Sequence, residues 1–473
     1  APRTLGVWLS DTLVGYLTHY PDERTVFTVS EEYLDAGPAR PILSLAWTHP
    51  DDEAQTRRLL LDPRHKSASI KAPPFFSNLL PEGGMRARIA QQLKVHEDRE
   101  FLLLEALGHD LPGAVILRPV DAPPPGHQNH ATQVGAPPIN ADTADNGAPQ
   151  TVDPAHLKFS LGGMQLKFSM LRQGERYTLN TGGRLGNYII KPPSRDFPGL
   201  PQVEAAAMAT AHAVGIDVPE TLLLHPNQLD GLSNILGHLP NEPFYAIRRF
   251  DRNDATSPSN DGAATPALKE RIHVEDFAQV FSLRISQKYN RVNYDMMAMT
   301  LLQYAGGIDD LKEMTRRLVL NVLLGNGDAH IKNWSLIYRT PNKPRLAPAY
   351  DLVSTVAWTQ YDQTIALNMA GTKRFDAIGL DTFNAFFQRL ELPGQVREEL
   401  LTEVRATTRR VLDVWGRLYE GNGVPAGLMQ RVEAHIQGCL SAQSARDKLP
   451  ATPALRQPSS LPHDRLPPSP CCD

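Results

Sequence analysis

The chain has 473 residues, of which 41% are hydrophobic, and this length is sufficient for two globular units with a non-globular remainder. Its net charge of -4 lacks the basic excess that is typical of chains that bind nucleic acid or a membrane surface by themselves. Three cysteines form neither a disulfide framework nor a zinc motif, and no stretch of about 18 apolar residues occurs, so we expect a cytoplasmic protein in reducing conditions and no membrane contact.

The first part of the chain predicts a small β-rich domain over residues 1–118. Residues 5–17 alternate apolar and polar side chains around Ser10-Asp11-Thr12, which predicts an opening β-hairpin. Residues 75–117 have a largely helical pattern and end in a predicted strand at 114–117. Residues 119–150 contain almost no large apolar side chain, which predicts a linker or disordered loop.

The second part predicts an α+β domain over residues 151–449. Strand patterns occur at 188–190 and 244–247, and a helical pattern at 203–214 ends at Gly215. A polar insertion is expected at 252–267. Beyond Phe375 the pattern is helical, with a core stripe formed by Val396, Leu400, Val404, Val411, Trp415 and Leu418. Residues 450–473 predict a disordered tail.

The most informative motif is the segment Gly325 to Asn333, which follows a predicted helix over 311–324. Phosphoryl transfer from ATP needs a carboxylate that orients the attacking hydroxyl and an oxygen ligand for magnesium, and kinases supply both as Asp followed five residues later by Asn. Asp328 and Asn333 have this spacing. An Asx-rich turn that caps a neighbouring helix is the alternative for the motif alone.

A predicted β-hairpin follows, with strands at 334–338 and 345–349 and a turn at 339–344. Because antiparallel strands lie about 5 Å apart, Asn333 and Asp351 should face each other across its open end. Two oxygen ligands at this separation would form part of a magnesium site. The alternative for Asp351 is a helix N-cap, with Ser354 three residues later.

Two further features point to nucleotide phosphates. The segment 160–167 contains Gly162 and Gly163, which allow backbone N–H groups to approach phosphates, although a hairpin turn is the ordinary interpretation. Lys191, at the end of a predicted strand, is the candidate for a strand-borne phosphate ligand. Glu204, placed in the first turn of the next helix, either pairs with Lys191 or favours the helix N-terminus.

The succession of these motifs resembles the HipA family, the kinase toxins of bacterial type II toxin–antitoxin modules, over roughly residues 5–440. The resemblance is carried by several separate segments, which are 76–83 and 108–115 in the first domain and 160–167, 189–191, 249–252, 327–333 and 350–352 in the second.

This resemblance implies a small N-terminal β-rich domain followed by a two-lobed protein-kinase-like fold with a helical C-terminal lobe. It implies that Asp328 is catalytic, that Asn333 and Asp351 bind Mg2+, and that Ser160 is autophosphorylated. The expected ATP-binding residues are Lys191, Gly162, Gly163, Arg248, Arg249, Phe250 and His330, with the adenine placed against 247–250.

The family also implies partners. Its substrates include aminoacyl-tRNA synthetases, and its antitoxin is a helix-turn-helix repressor, HipB-like, that carries the toxin to operator DNA. Met164 and Leu166 depart from the family's Gly-rich loop, where smaller or more polar residues are expected. Two alternatives remain at this stage: a small-molecule or lipid kinase, whose catalytic loop has a similar form, and a catalytically degenerate corepressor.

Overall fold

The structure is a computed structural model that describes residues 2–120, 166–179, 185–253, 271–358 and 364–447. The linker predicted at 119–150 begins too early, because residues 119 and 120 still belong to a strand. Its remainder, the tail at 450–473 and most of the insertion at 252–267 lie outside the described residues. Among the helices that are described, none has both the length and the apolar character that crossing a membrane requires.

The N-terminal domain is built on an antiparallel five-stranded sheet in the order β4-β3-β2-β1-β5. The predicted opening hairpin is confirmed, because β1 pairs with β2 from Leu9–Thr12 to Arg3–His19. Alternate residues of β1, such as Leu5 and Val7, point into the core and are fully buried. The strands are β1 (Arg3–Leu9), β2 (Thr12–His19), β3 (Arg24–Val29), β4 (Ser67–Ser69) and β5 (Val115–Val120).

Five helices cover this sheet: α1 (Glu31–Asp35), α2 (Glu53–Leu61), α3 (Pro74–Ser77), α4 (Gly83–Leu93) and α5 (Glu100–Leu107). The predicted strand at 114–117 is confirmed, and it continues to Val120 as the edge strand β5. Pro119 is tolerated there because an edge strand does not need every N–H for its ladder.

The second domain begins with a six-stranded sheet in the order β10-β7-β6-β8-β11-β9. Its strands are β6 (Phe168–Gln173), β7 (Arg176–Leu179), β8 (Tyr188–Lys191), β9 (Thr221–Leu224), β10 (Leu229–Asp230) and β11 (Phe244–Arg248). One face is covered by helix α6 (Leu200–Ala213), and a short helix, α7 (Ser233–Leu236), follows β10. Gly215 adopts φ +85 just after α6, as predicted for a helix end.

A helical lobe follows, and it completes a two-lobed arrangement. Its helices are α8 (Phe277–Val280), α9 (Tyr294–Tyr304), α10 (Ile308–Leu323), α11 (Leu380–Arg389), α12 (Gly394–Gly421) and α13 (Ala426–Asp447). The predicted stripe on α12 is confirmed for Leu400, Val404 and Val411, which are at most 5% exposed, but its end is wrong. Tyr419 is fully buried there and Leu418 is not, because a straight helix rotates relative to a seven-residue spacing.

A three-stranded sheet, β12-β13-β14, and a two-stranded hairpin, β15-β16, lie within the helical lobe. Their strands are β12 (His273–Asp276), β13 (Ser335–Thr340), β14 (Lys343–Leu346), β15 (Thr364–Met369) and β16 (Thr372–Arg374). The predicted hairpin exists, but its turn is shorter than expected, because Thr340 pairs directly with Lys343. Pro344 fits within β14 because this strand lies at the sheet edge.

The first domain contacts the second through polar side chains and loop backbone groups. Asp251 accepts the N–H of Gly113 at 2.8 Å, and Arg252 donates to the Gly113 carbonyl at 3.0 Å. At another point, Ser44 donates to the buried carboxylate of Glu275 at 2.6 Å. The segments 108–115 and 249–252, which the sequence singled out separately, therefore bind each other.

Candidate active site

The loop after α10 is fixed by one glycine and one asparagine. Gly325 reverses the chain at φ +67, and an added Cβ would lie 2.4 Å from Val356 Cγ2. Asn326 donates its N–H to the Asn321 carbonyl at 2.8 Å and its amide to the Asn321 side-chain oxygen at 2.9 Å. The Asn326 oxygen in turn accepts the N–H of Asp328 at 3.0 Å. Neutral hydrogen bonds thus fix the position of Asp328.

Asp328 lies in this loop with its side chain 5% exposed. The hydroxyl of Tyr289 donates to Asp328 Oδ1 at 2.6 Å. The side-chain nitrogen of Asn333 donates to the Asp328 carbonyl at 2.8 Å. Because the amide nitrogen is used in this bond, the Asn333 side-chain oxygen is the atom that a cation would contact. The Tyr289 side chain is half-buried, and its hydroxyl makes the same kind of hydrogen bond with Asp328 that a substrate hydroxyl would make.

His330 lies beside Asp328, with Nε2 3.8 Å from Asp328 Oδ1. Neither ring nitrogen has a hydrogen-bond partner within the described parts of the chain. Burial lowers the pKa of His330 to about 4, so the imidazole is neutral at pH 7. A buried neutral imidazole keeps one N–H that must find an acceptor, and a phosphate oxygen would supply one.

Asp351 connects the two lobes by charge. It adopts φ +53, a left-handed conformation that is uncommon for a residue other than glycine and is often found at functional sites. Its carboxylate accepts Lys191 Nζ at 2.5 Å and Lys167 Nζ at 2.7 Å. Burial favours the neutral form, but the two ammonium groups outweigh it and hold the pKa of Asp351 well below its usual range. The helix N-cap alternative is wrong, since the next single-turn helix begins after Ser354.

Lys191 ends strand β8 and is 3% exposed. Its ammonium also donates to Glu204 Oε1 and lies 5.2 Å from the centre of the Tyr245 ring. Burial lowers the pKa of Lys191, but the attraction of Asp351 and Glu204 dominates and raises it above its ordinary value. Glu204 is the fifth residue of α6 and not in its first turn, so the helix-terminus alternative is wrong and the pairing with Lys191 is found.

The predicted magnesium ligands lie at one place. Asn333 and Asp351 line the same narrow cavity, together with Asn326 and Tyr350. An amide oxygen and a carboxylate are the hard ligands that Mg2+ takes while it keeps several waters and substrate phosphates. In the described residues no group of three or more His, Cys, Asp or Glu side chains is arranged for a metal.

The residues expected to contact adenine, Arg248, Arg249 and Phe250, have different surroundings. The N–H of Arg248 donates to the Glu220 carbonyl and that of Arg249 to the Asn187 carbonyl, so a base here would use carbonyl groups or the N–H of Phe250. The Arg249 side chain binds Asp251 at 2.9 Å and turns toward the first domain. The Phe250 ring packs on Tyr350, with centroids 5.6 Å apart, beside the predicted metal ligands.

Three predicted residues, Ser160, Gly162 and Gly163, lie outside the described residues. Conversely, the structure adds two residues to the site that had no assigned role. Lys167 ends the Gly-rich motif, and its position directly before a strand was the only signal for it. Tyr289 belongs to no motif, and no sequence signal identified it.

A β-sheet lobe with a buried Lys–Glu pair, joined to a helical lobe whose loop presents Asp and Asn five residues apart, defines the kinase class of fold. Two family models match the chain: the one described as the HipA N-terminal domain covers residues 5–118, and the one described as the HipA-like C-terminal domain covers residues 159–415. The chain therefore belongs to the HipA family of kinases, and the fold class and family expected from the sequence are confirmed.

Relatives and solved structures agree with this assignment. The Sinorhizobium fredii protein Y4dM, whose name describes it provisionally as a kinase, is 36% identical over 441 residues, which are 91% of this chain and 96% of that protein. The serine/threonine-protein kinase toxin HipA of Shewanella oneidensis is 24% identical over 359 residues, covering 71% of this chain and 75% of the toxin. In the solved complex of Shewanella oneidensis HipA, HipB and operator DNA, one chain superposes with a TM-score of 0.66 at 20% identity, covering 94% of this chain and 99% of that chain.

Proposed function

We propose that this chain is an ATP- and magnesium-dependent serine/threonine protein kinase and acts as the toxin of a type II toxin–antitoxin system. The observation that carries the proposal is the convergence of Lys191 and Lys167 on Asp351, in the cavity that Asn333 also lines. Cationic and metal-binding groups that meet beside a buried Asp328 suit the triphosphate of ATP and an acceptor hydroxyl.

In this proposal each residue has a defined task. Lys191 and Lys167 bind phosphate oxygens, and His330 donates its N–H to another. Asn333 and Asp351 hold magnesium, which neutralises phosphate charge when bound. Asp328 accepts a hydrogen bond from the acceptor hydroxyl and orients it toward the γ-phosphorus. The hydroxyl oxygen forms a bond to phosphorus, the bond to the bridging oxygen of ADP breaks, and the hydroxyl proton leaves through Asp328.

The proposed partners follow from the family and from the HipA–HipB–operator complex that shares the fold. A helix-turn-helix antitoxin of the HipB type would hold the chain at operator DNA, since the net charge of -4 provides no basic excess for direct binding. The proposed substrate is a protein of the translation apparatus, such as an aminoacyl-tRNA synthetase. We place this activity in the cytoplasm, because the three cysteines of the sequence form neither a disulfide framework nor a zinc motif, which suits a reducing compartment.

Incubation of the purified chain with γ-labelled ATP and a bacterial lysate tests this function. Transfer of label to one protein band, dependent on magnesium, is the expected result. Label found only in small metabolites or lipids would support a different kinase class, and magnesium-independent binding of ATP without transfer would indicate a degenerate corepressor.

Autophosphorylation at Ser160 is part of the same proposal, because Ser160 lies immediately before Leu161-Gly162-Gly163 and matches the serine that the family resemblance implies. A phosphoserine adds about -1.5 to -2 charges at neutral pH, which would repel the ATP phosphates near Gly162 and Gly163. Ser160→Ala should therefore bind ATP but lose self-labelling, whereas Ser160→Asp should bind ATP poorly. Calorimetry and phosphopeptide mass spectrometry measure these results. If both variants bind ATP and label themselves like the unmodified chain, the modified residue lies elsewhere.

A further inference from the structure

A buried cluster of four charged groups joins the first domain to the loop that carries Asp328. Glu82, directly before α4, accepts Lys288 Nζ at 3.1 Å and lies 3.6 Å from Lys332 Nζ. Lys332 also donates to Asp276 at 2.8 Å and to the Asn78 side-chain oxygen at 3.0 Å. Asn78 and Glu82 both belong to the segment 76–83, a motif that the proposed chemistry does not use.

The two lysines lie close to the reacting groups. Lys332 is the residue before Asn333, the predicted metal ligand, and it lies four residues after Asp328. Lys288 precedes Tyr289, whose hydroxyl donates to Asp328 Oδ1, and its ammonium lies 5.5 Å from the centre of the Tyr289 ring. Each lysine therefore connects Glu82 to one side of the catalytic loop.

The cluster is balanced and largely closed to water. The side chains of Lys288 and Lys332 are 8% and 9% exposed, and those of Glu82 and Asp276 are 17% and 12% exposed. Burial favours the neutral form of Glu82, but Lys332 and Lys288 outweigh it and lower its pKa to about 2. Two anions and two cations share this space, so removal of one anion leaves an uncompensated ammonium in a buried position.

The N-terminal domain also contacts the six-stranded sheet of the second domain, which is called the small lobe below. Arg88, on α4, donates to the Ile235 carbonyl, and Met85 packs against the small-lobe core beside Leu166. The segment from Glu82 to Arg88 thus contacts both the six-stranded sheet and, through Glu82, the catalytic loop.

We propose that Glu82 of the N-terminal domain is a positioning residue for phosphoryl transfer, which sets the orientation of the loop between Asp328 and Asn333 through Lys332 and Lys288. The inference rests on the proposed function, because it assigns a task to this loop. Its physical basis is that charged partners of functional groups fix their geometry, and loss of such a partner typically reduces activity about 10- to 100-fold.

Glu82→Gln tests the proposal because it removes the charge and keeps the shape. We expect kcat for hydrolysis of magnesium-bound ATP to fall about 10- to 100-fold with little change in KM for ATP. Hydrolysis needs no identified protein substrate, since water takes the place of the hydroxyl. Hydrogen–deuterium exchange of peptides that cover 326–334 should increase in the same variant. Glu82→Asp, which keeps the charge, should recover part of the rate.

Two control variants separate positioning from general loosening. Glu97→Gln makes the same charge change at an exposed site of the same domain and should leave the rate and the exchange unchanged. Ser44→Ala removes the bond to Glu275, a contact between the domains in which neither Lys288 nor Lys332 takes part, so it should lower the thermal midpoint without the loss of kcat.

The proposal is overturned if Glu82→Gln exchanges like the unmodified chain at 326–334, or if Ser44→Ala loses kcat to the same extent. Failure of the proposed function has a different signature, which is the absence of ATP turnover in the unmodified chain. The exchange measurement still decides the role of Glu82 in that case, because it reports the loop geometry directly.

Discussion

The loop that presents Asp328 and the cluster around Asp351 are held by different forces. As far as Asp328, the loop depends on a left-handed glycine and on hydrogen bonds between neutral groups, with Asn326 linking helix α10 to Asp328, and charged partners enter only further along, at Lys332. The cluster depends on two lysines that converge on Asp351 across sequence separations of 160 and 184 residues. We expect the neutral local bonds to keep their geometry in the proposed ATP complex, whereas the ion pairs would exchange partners with phosphates and magnesium.

This difference indicates which part of the site is preformed. The position of Asp328 should be nearly the same with and without nucleotide. Asp351, Lys191 and Lys167 neutralise one another in this structure, and each would gain a new partner in the proposed ATP complex. The comparison therefore predicts that changes in the loop affect turnover or folding and that changes in the cluster affect nucleotide binding.

The largest expected effect is that of Asp328→Asn. The change keeps the shape and the contact with Tyr289 but removes the charge that is proposed to orient the acceptor hydroxyl, so transfer should fall about 100- to 10,000-fold while ATP affinity is retained. Asp309→Asn, at an exposed position at the start of α10, is the matched control and should keep full transfer. Normal transfer by Asp328→Asn would show that another residue orients the hydroxyl.

Asp351→Asn should produce the next largest effect, and we expect it to change nucleotide binding as well as turnover. Asparagine tolerates the positive φ at this position, so the variant tests the charge without added backbone strain. Nucleotide affinity should lose its dependence on magnesium, as measured by calorimetry with and without the cation. Asp381→Asn, on the exposed face of α11, should keep that dependence. If Asp351→Asn also keeps it, the magnesium site lies elsewhere.

The sequence predicted the loop far better than the cluster. The loop is local: Gly325, Asp328 and Asn333 lie within nine residues, so their spacing alone carries the geometry. The pairing of Lys167 with Asp351 depends on how two lobes close, and no periodicity encodes it. The same reason explains why the segment 76–83 was recognised as a motif while its contact with Lys332, 254 residues away, was not foreseen.

Gly325→Ala tests whether the loop needs a left-handed glycine, through its effect on the thermal midpoint of unfolding. A left-handed alanine costs roughly 1–2 kcal/mol, and the contact of its Cβ with Val356 adds overpacking of about 1–3 kcal/mol. The thermal midpoint should fall clearly. Gly416→Ala, in α12 with open space around its Cβ, should leave the midpoint unchanged or raise it, because alanine favours the helix. Equal midpoints for the two variants would contradict a steric requirement at 325.

The smallest expected effect distinguishes the two lysines on Asp351. The side chain of Lys167 is 34% exposed, whereas that of Lys191 is 3% exposed and also pairs with Glu204. A partly exposed ion pair contributes about 0–1 kcal/mol because water screens it. Removal of a buried partner leaves charges uncompensated and costs considerably more.

Lys167→Gln should therefore weaken ATP binding at most about fivefold, which corresponds to roughly 1 kcal/mol. Lys191→Gln should weaken it by a much larger factor in the same calorimetric titration. If the two variants lose affinity equally, exposure does not set the strength of these contacts, and the phosphates depend on both lysines to the same degree.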